Sequence, residues 1–127
     1  MREYRIEIPC IPPKELSTNA RVHWSVRHQH ASQLRTTANY YALNCTHCSR
    51  PGLERAEVEV SFIIRNKKQI RDTDNALAAL KAGIDGCVDA GIVKDDSPEY
   101  LTYKMPIKWE VDKQRAPLTV LTFREIE

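Results

Sequence analysis

No apolar run in these 127 residues approaches the ~20 that a helix needs to cross a bilayer. The N-terminus, Met1-Arg2-Glu3-Tyr4-Arg5-Ile6-Glu7-Ile8, alternates polar and apolar residues and lacks the apolar stretch of a signal peptide. Both absences predict a cytoplasmic protein that uses no membrane. Net charge is also scarce: 19 Lys and Arg against 17 Asp and Glu leave +2, too little to announce a nucleic-acid partner from composition. There is no internal repeat and no low-complexity tract. Cysteine is sparse and poorly placed for a zinc finger. Cys45-Thr46-His47-Cys48 is a single C-x-x-C with no second Cys or His pair at finger spacing, and it closes a helical stretch instead of opening one. Cys10, Cys45, Cys48 and Cys87 are therefore expected to be reduced thiols, the alternative being a zinc ligated by Cys45, His47 and Cys48 or with help from His28 or His30.

What is present suits one globular domain over residues 1–127, with 42% hydrophobic and 28% charged residues. Residues 3–9 alternate as a strand, with Tyr4, Ile6 and Ile8 on one face. The segment 10–22, with Pro12-Pro13, reads as a loop. From Trp24 to about Ala42, the positions Ala31, Leu34, Ala38, Tyr41 and Ala42 recur at helical spacing, and Trp24 is expected in the core. Arg50-Pro51-Gly52 supplies a turn. Residues 56–64 alternate again, placing Glu57, Glu59 and Ser61 on a wet face. A second helix from about Asn75 to Asp89 has the stripe Leu77, Leu80, Ile84, Cys87 and Val88, with Gly91 at its stop. Alternation from Leu101 to Val111 and the run Leu118–Phe123 predict two last strands, expected to form a hairpin. The order β-α-β-α-β-β implies an α+β fold, one mixed sheet with two helices packed on it.

Charge is distributed unevenly. Segment 64–71 carries Arg65, Lys67, Lys68 and Arg71 and no acid, and Arg21, Arg27, Arg35 and three histidines cluster upstream. Asp72 and Asp74 follow at the entry to the second helix, and Asp95-Asp96 comes after it. Carboxylates two apart in an extended segment can face one side. Residues 90–94 are suited to doubling the chain back so that both acidic pairs meet. Such a group offers the hard oxygen donors that magnesium takes, and a bound metal can drive phosphodiester hydrolysis near neutral pH. A basic rim beside it could hold DNA phosphates. The competing local readings are an N-cap at Asp72 or Asp74 and a turn at Asp95-Asp96-Ser97-Pro98.

Asp72-Thr73-Asp74-Asn75, then Lys81-Ala82-Gly83-Ile84-Asp85-Gly86, then Gly91-Ile92-Val93-Lys94-Asp95-Asp96-Ser97 resemble the signature of RusA-type Holliday junction resolvases. The match covers roughly residues 65–100, and Leu16-Ser17-Thr18-Asn19 with His23-Trp24 is similar to the family's N-terminal region. The resemblance implies a small homodimeric, often prophage-encoded endonuclease. It would use Mg2+, with Mn2+ as a substitute and no small-molecule cofactor, to nick four-way DNA junctions in recombination and repair. It implies Asp72, Asp74 and Asp96 as catalytic metal ligands, Asp95 as their acidic neighbour, Lys81 as the catalytic lysine and Arg71 as a DNA contact. Arg65, Lys67, Lys68, Arg21, Arg27 and Arg35 would hold backbone phosphates. One departure stands out: the family's lysine falls one turn after the second aspartate, whereas Asp74 and Lys81 are seven residues apart. They still share a helix face, about 10 Å from first to last by helical rise. A surface ion pair between Lys81 and Asp85 at i+4 is the plainer role for this lysine.

Overall fold

Alternation of apolar and polar residues shapes the first three strands of the sheet, and a largely buried run over residues 118–123 makes the fourth. The computed structural model describes residues 2–46 and 52–126. Strand β1 spans Glu3–Ile8, helix α1 Trp24–Thr46, β2 Ala56–Ile64, α2 Thr73–Asp89, β3 Leu101–Val111 and β4 Leu118–Glu125. Two short 3-10 turns, Lys14–Leu16 and Lys67–Gln69, interrupt the loops. The sheet is mixed, in the order β1-β4-β2-β3. Val58 pairs with Phe123 and Val60 with Leu121, so one face is continuously apolar. Both helices cover that face: Ala38 and Ala42 of α1 and Leu80, Ile84 and Cys87 of α2 join Tyr4, Ile6, Val58, Phe62 and Phe123 in one core. Among the described residues no helix is long and apolar enough to cross a membrane.

Three expectations need correction. The last two strands are not a hairpin, because β2 lies between them, pairing parallel to β3 and antiparallel to β4. A two-residue loop would force neighbours to pair. The six residues 112–117 instead let the chain step over a strand, a gap of about 10 Å. Strand β2 is nearly all buried and takes partners on both edges, while β3 carries Pro106, lacking an N–H, at the sheet edge where its pairing with β2 shifts register. Trp24 is not in the core but 73% exposed, because it opens α1 ten residues before the first buried position, Leu34. Glu59, expected on a wet face, is only 7% exposed, since Lys108 and Arg124 from the flanking strands close over it. Helix α1 also runs four residues beyond Ala42. Of the predicted turn at 50–52 only Gly52 is among the described residues, and His47 and Cys48 lie outside them.

Two local devices fix where the acidic segments emerge. At the end of α2, Gly91 adopts φ 86°, and its N–H donates to the Val88 carbonyl while Ile92 N–H donates to Cys87. That is a glycine-dependent helix stop of the Schellman type, open to few other residues. It reverses the chain so that Leu53 and Val93 bridge, with Leu53 N–H donating to Ile92 O at 2.8 Å. At Gly86 the backbone of α2 lies directly against α1. A Cβ there would lie 2.3 Å from the Arg35 carbonyl oxygen, and the Asn39 side chain donates to Gly86 O at 3.2 Å.

Candidate metal and nucleic-acid site

The chain enters α2 through Asp72, whose extended backbone (φ −58°, ψ 148°) is that of a helix N-cap. Its carbonyl accepts from Ala76 N–H at 2.9 Å, but its carboxylate makes no capping bond, so the plain N-cap reading does not use the side chain up. Asp74 sits exposed in the first turn, where the helix dipole favours negative charge. Asn75 is tied to the preceding loop by the Thr18 hydroxyl, which donates to its Oδ1.

Two turns along the same face is Lys81. Its ammonium donates to Asp85 Oδ1 at 2.6 Å and also to Asp96 Oδ2. The doubling back at Gly91 therefore brings Asp96 onto α2 against Lys81, but the expected meeting of both acidic pairs is not seen among the described residues. Partial burial works against the Lys81 charge, but its bonds to Asp85 and Asp96 outweigh that and raise its pKa above the ordinary lysine value. Asp96 moves the other way: first the hydrogen bond from Lys81, against partial burial, holds its carboxyl below the usual range. Asp95 spends one oxygen on its own turn, accepting from Asp96 N–H at 2.8 Å. Tyr103 of β3 is half-buried nearby. Burial raises its phenol pKa, while the Lys81 charge acts to lower it.

The structure thus brings Lys81, Asp85 and Asp96 together. Among the described residues, however, no three His, Cys, Asp or Glu side chains are gathered closely enough to hold a metal ion. Asp72 and Asp74 are exposed carboxylates without a partner among those residues, and Asp96 is committed to an ammonium. By chemistry the set suits a hard divalent cation; in this arrangement it does not close around one.

The basic residues divide in two. Arg35 makes a two-pronged bond to Asp89, 2.6 and 2.9 Å, that ties α1 to α2. Arg27 is half-buried and donates to the carbonyls of Ser17 and Ala20, fixing the loop before α1. Arg65 donates to Arg115 O, and Arg71 to Pro12 O at 2.8 Å. Arg21, Lys67 and Lys68 are exposed, and their charged side chains have no hydrogen-bond or ion-pair partner among the described residues. Asn66 and Gln69 form a capping box about the turn Lys67–Gln69, which holds the two lysines outward. Cys45 donates its thiol to Arg5 O at 3.3 Å.

The periodic signals did not reveal Asp85 as a second partner of the Asp96–Lys81 pair, nor Tyr103, which reads as an ordinary core position of an alternating strand. The i+4 spacing pointed only to Asp85 as a surface partner. Compared with models of known protein families and with characterised protein sequences, the chain matches none.

Proposed function

We propose that this chain is a cytoplasmic, magnesium-dependent endonuclease that resolves four-way DNA junctions by paired symmetric nicks, acting as a homodimer in recombination and repair. The observation that carries the reading is the return of Asp96 onto α2 against Lys81, on the helix whose first turn presents Asp72 and Asp74. Those three aspartates would be the oxygen donors for the ion, with Asp95 beside them, once Asp96 is released from Lys81 and the carboxylates draw together. The chemistry that magnesium supplies when bound is polarisation of the scissile phosphate and easier deprotonation of the attacking water.

The chain's own residues do the rest. Lys81, kept charged by Asp85 and Asp96, donates to the phosphate oxygen on which negative charge grows. Lys67, Lys68, Arg21 and Arg71 hold flanking phosphates, which positions the strand without reading bases. Arg27, Arg35 and Arg65 serve by fixing the loops and helices that carry those cations. Two-fold symmetry in the dimer mirrors that of the junction and gives one cut on each of two equivalent strands.

The test is incubation with a synthetic four-way junction and with linear duplex, with and without magnesium, alongside Asp72→Asn and Asp74→Asn. Symmetric magnesium-dependent nicks in the junction are expected, reduced about a hundredfold or more in both variants, since several kcal/mol of charge stabilisation is lost. Cutting of flaps in preference to junctions would redirect the enzyme to other branched DNA. Junction binding without any cutting would make the chain a non-catalytic binder, and cutting that survives both substitutions would overturn the metal assignment.

A further inference from the structure

Arg71 is a half-buried guanidinium with no carboxylate in ion-pair contact among the described residues. Its only hydrogen-bond partner there is the neutral Pro12 carbonyl. A buried charge without a counter-charge is costly, so such a group is one that gains from an incoming anion. Burial pulls its pKa down, and the charge of nearby Glu15, itself 3.9 Å from His30, acts in the opposite direction. The guanidinium lies in a cleft of about 420 Å³ with Pro12, Pro13 and Lys14 on one wall and Lys68, Gln69 and Arg71 on the other. No carboxylate lines that cleft. The ammonium groups of the exposed Lys14 and Lys68 have no hydrogen-bond or ion-pair partner among the described residues. The capping box about Lys67–Gln69 and the Arg71 bond to Pro12 fix the two walls before any ligand arrives.

We propose that this cleft is a phosphate subsite, in which Lys14, Lys68 and Arg71 together take one backbone phosphate of the DNA strand, next to the carboxylates that begin at Asp72. The inference rests on the nuclease reading above and extends it, by adding Lys14, 57 positions before Arg71 in sequence, to the DNA-binding surface. Three cationic side chains from two separate loops line this one cleft and would share a single phosphate.

The experiment measures binding of a four-way junction, without divalent metal, across a range of salt concentrations. It compares the wild-type chain with Lys14→Ala, Lys68→Ala, the double variant, and Arg5→Ala as a control that loses one charge on the opposite face of the sheet. Each lysine variant should weaken binding several-fold, and loss of the subsite in the double variant should make the dependence of log K on log salt shallower by about one unit. Arg5→Ala should keep the wild-type slope. A junction series with single phosphates replaced by neutral methylphosphonates gives the second readout: one position should weaken wild-type binding and leave the double variant unaffected. Equal slopes in wild type and double variant, or every methylphosphonate weakening both alike, would overturn the subsite while leaving the nuclease reading intact. Failure of the wild-type chain to bind any junction would overturn both.

Discussion

Lys81 is the residue on which the sequence departs from the pattern it resembles, and the structure gives it two anionic partners instead of one. Its bond to Asp85 is the i,i+4 surface pair that helical spacing predicts, worth a few tenths of a kcal/mol on its own. The bond to Asp96 crosses fifteen residues and depends on the turn at Gly91. The extra partner separates the two roles experimentally. Lys81→Ala should lower single-turnover nicking about a hundredfold, the scale for removing one charged donor from a reacting oxyanion. Its melting temperature should hardly change, because the pair is exposed and such pairs contribute less than about 1 kcal/mol. Lys81→Arg should recover part of the rate. Full activity in Lys81→Ala would leave the lysine a surface tie. Asp72, Asp74, Asp96 and Lys81 stand out in the sequence by their order in the chain, and of these the structure joins Lys81 and Asp96. The placing of Lys14 beside Lys68 and Arg71, and of Asp96 beside the Lys81–Asp85 pair, was not legible, because nothing in a proline-rich loop or a single i+4 pair says which distant segment it will meet.

At the scale of elements, periodicity located both helices and all four strands to within a few residues, because each has a continuous apolar face that repeats at its own period. Pairing was less visible. The hairpin expected from β3 and β4 failed because adjacency in sequence says nothing about a strand that can slip between two others when the connection is long enough. The contact between α1 and α2 likewise depends on a position that hydrophobic patterns ignore. Gly86→Ala should lower the melting temperature by several degrees: the added methyl meets the Arg35 carbonyl oxygen and Ala38, and overpacking of this kind costs about 1–3 kcal/mol. Thermal unfolding followed by circular dichroism checks this, and an unchanged midpoint would show that the helices separate freely.

Across the whole molecule, the sheet face away from the helices carries a line of charge that crosses every strand. Glu3 of β1, Arg124 of β4, Glu59 of β2 and Lys108 of β3 alternate in sign in the spatial order of the strands. Lys108 first, then Arg124, depress the Glu59 carboxyl to about 2, against an ordinary value of 4.5. A depressed folded-state pKa means that the contribution to stability is complete above the unfolded value and is lost as pH falls toward the folded one. The stabilisation should therefore be full above about pH 5 and fade between about pH 4.5 and 2. Glu59→Gln should melt below wild type at pH 7, with the gap closing as pH drops through that window. A gap that persists at pH 2 would assign the effect to packing instead. This network could not be read beforehand, since it needs the order β1-β4-β2-β3, and only the alternation that exposes those side chains on one face was visible in the sequence.

Whether carboxylates from both ends of α2 serve one divalent ion, as proposed, is tested directly by titrating the intact chain with Mn2+ and following the electron paramagnetic resonance of the free ion. Wild type should bind Mn2+, with Asp72→Asn, Asp74→Asn and Asp96→Asn each weakening the same site tenfold or more, at least the cost of losing an outer partner of a metal ligand. An Asp96→Asn variant that binds Mn2+ as tightly as wild type would contradict the shared site, and so would binding that none of the three substitutions affects.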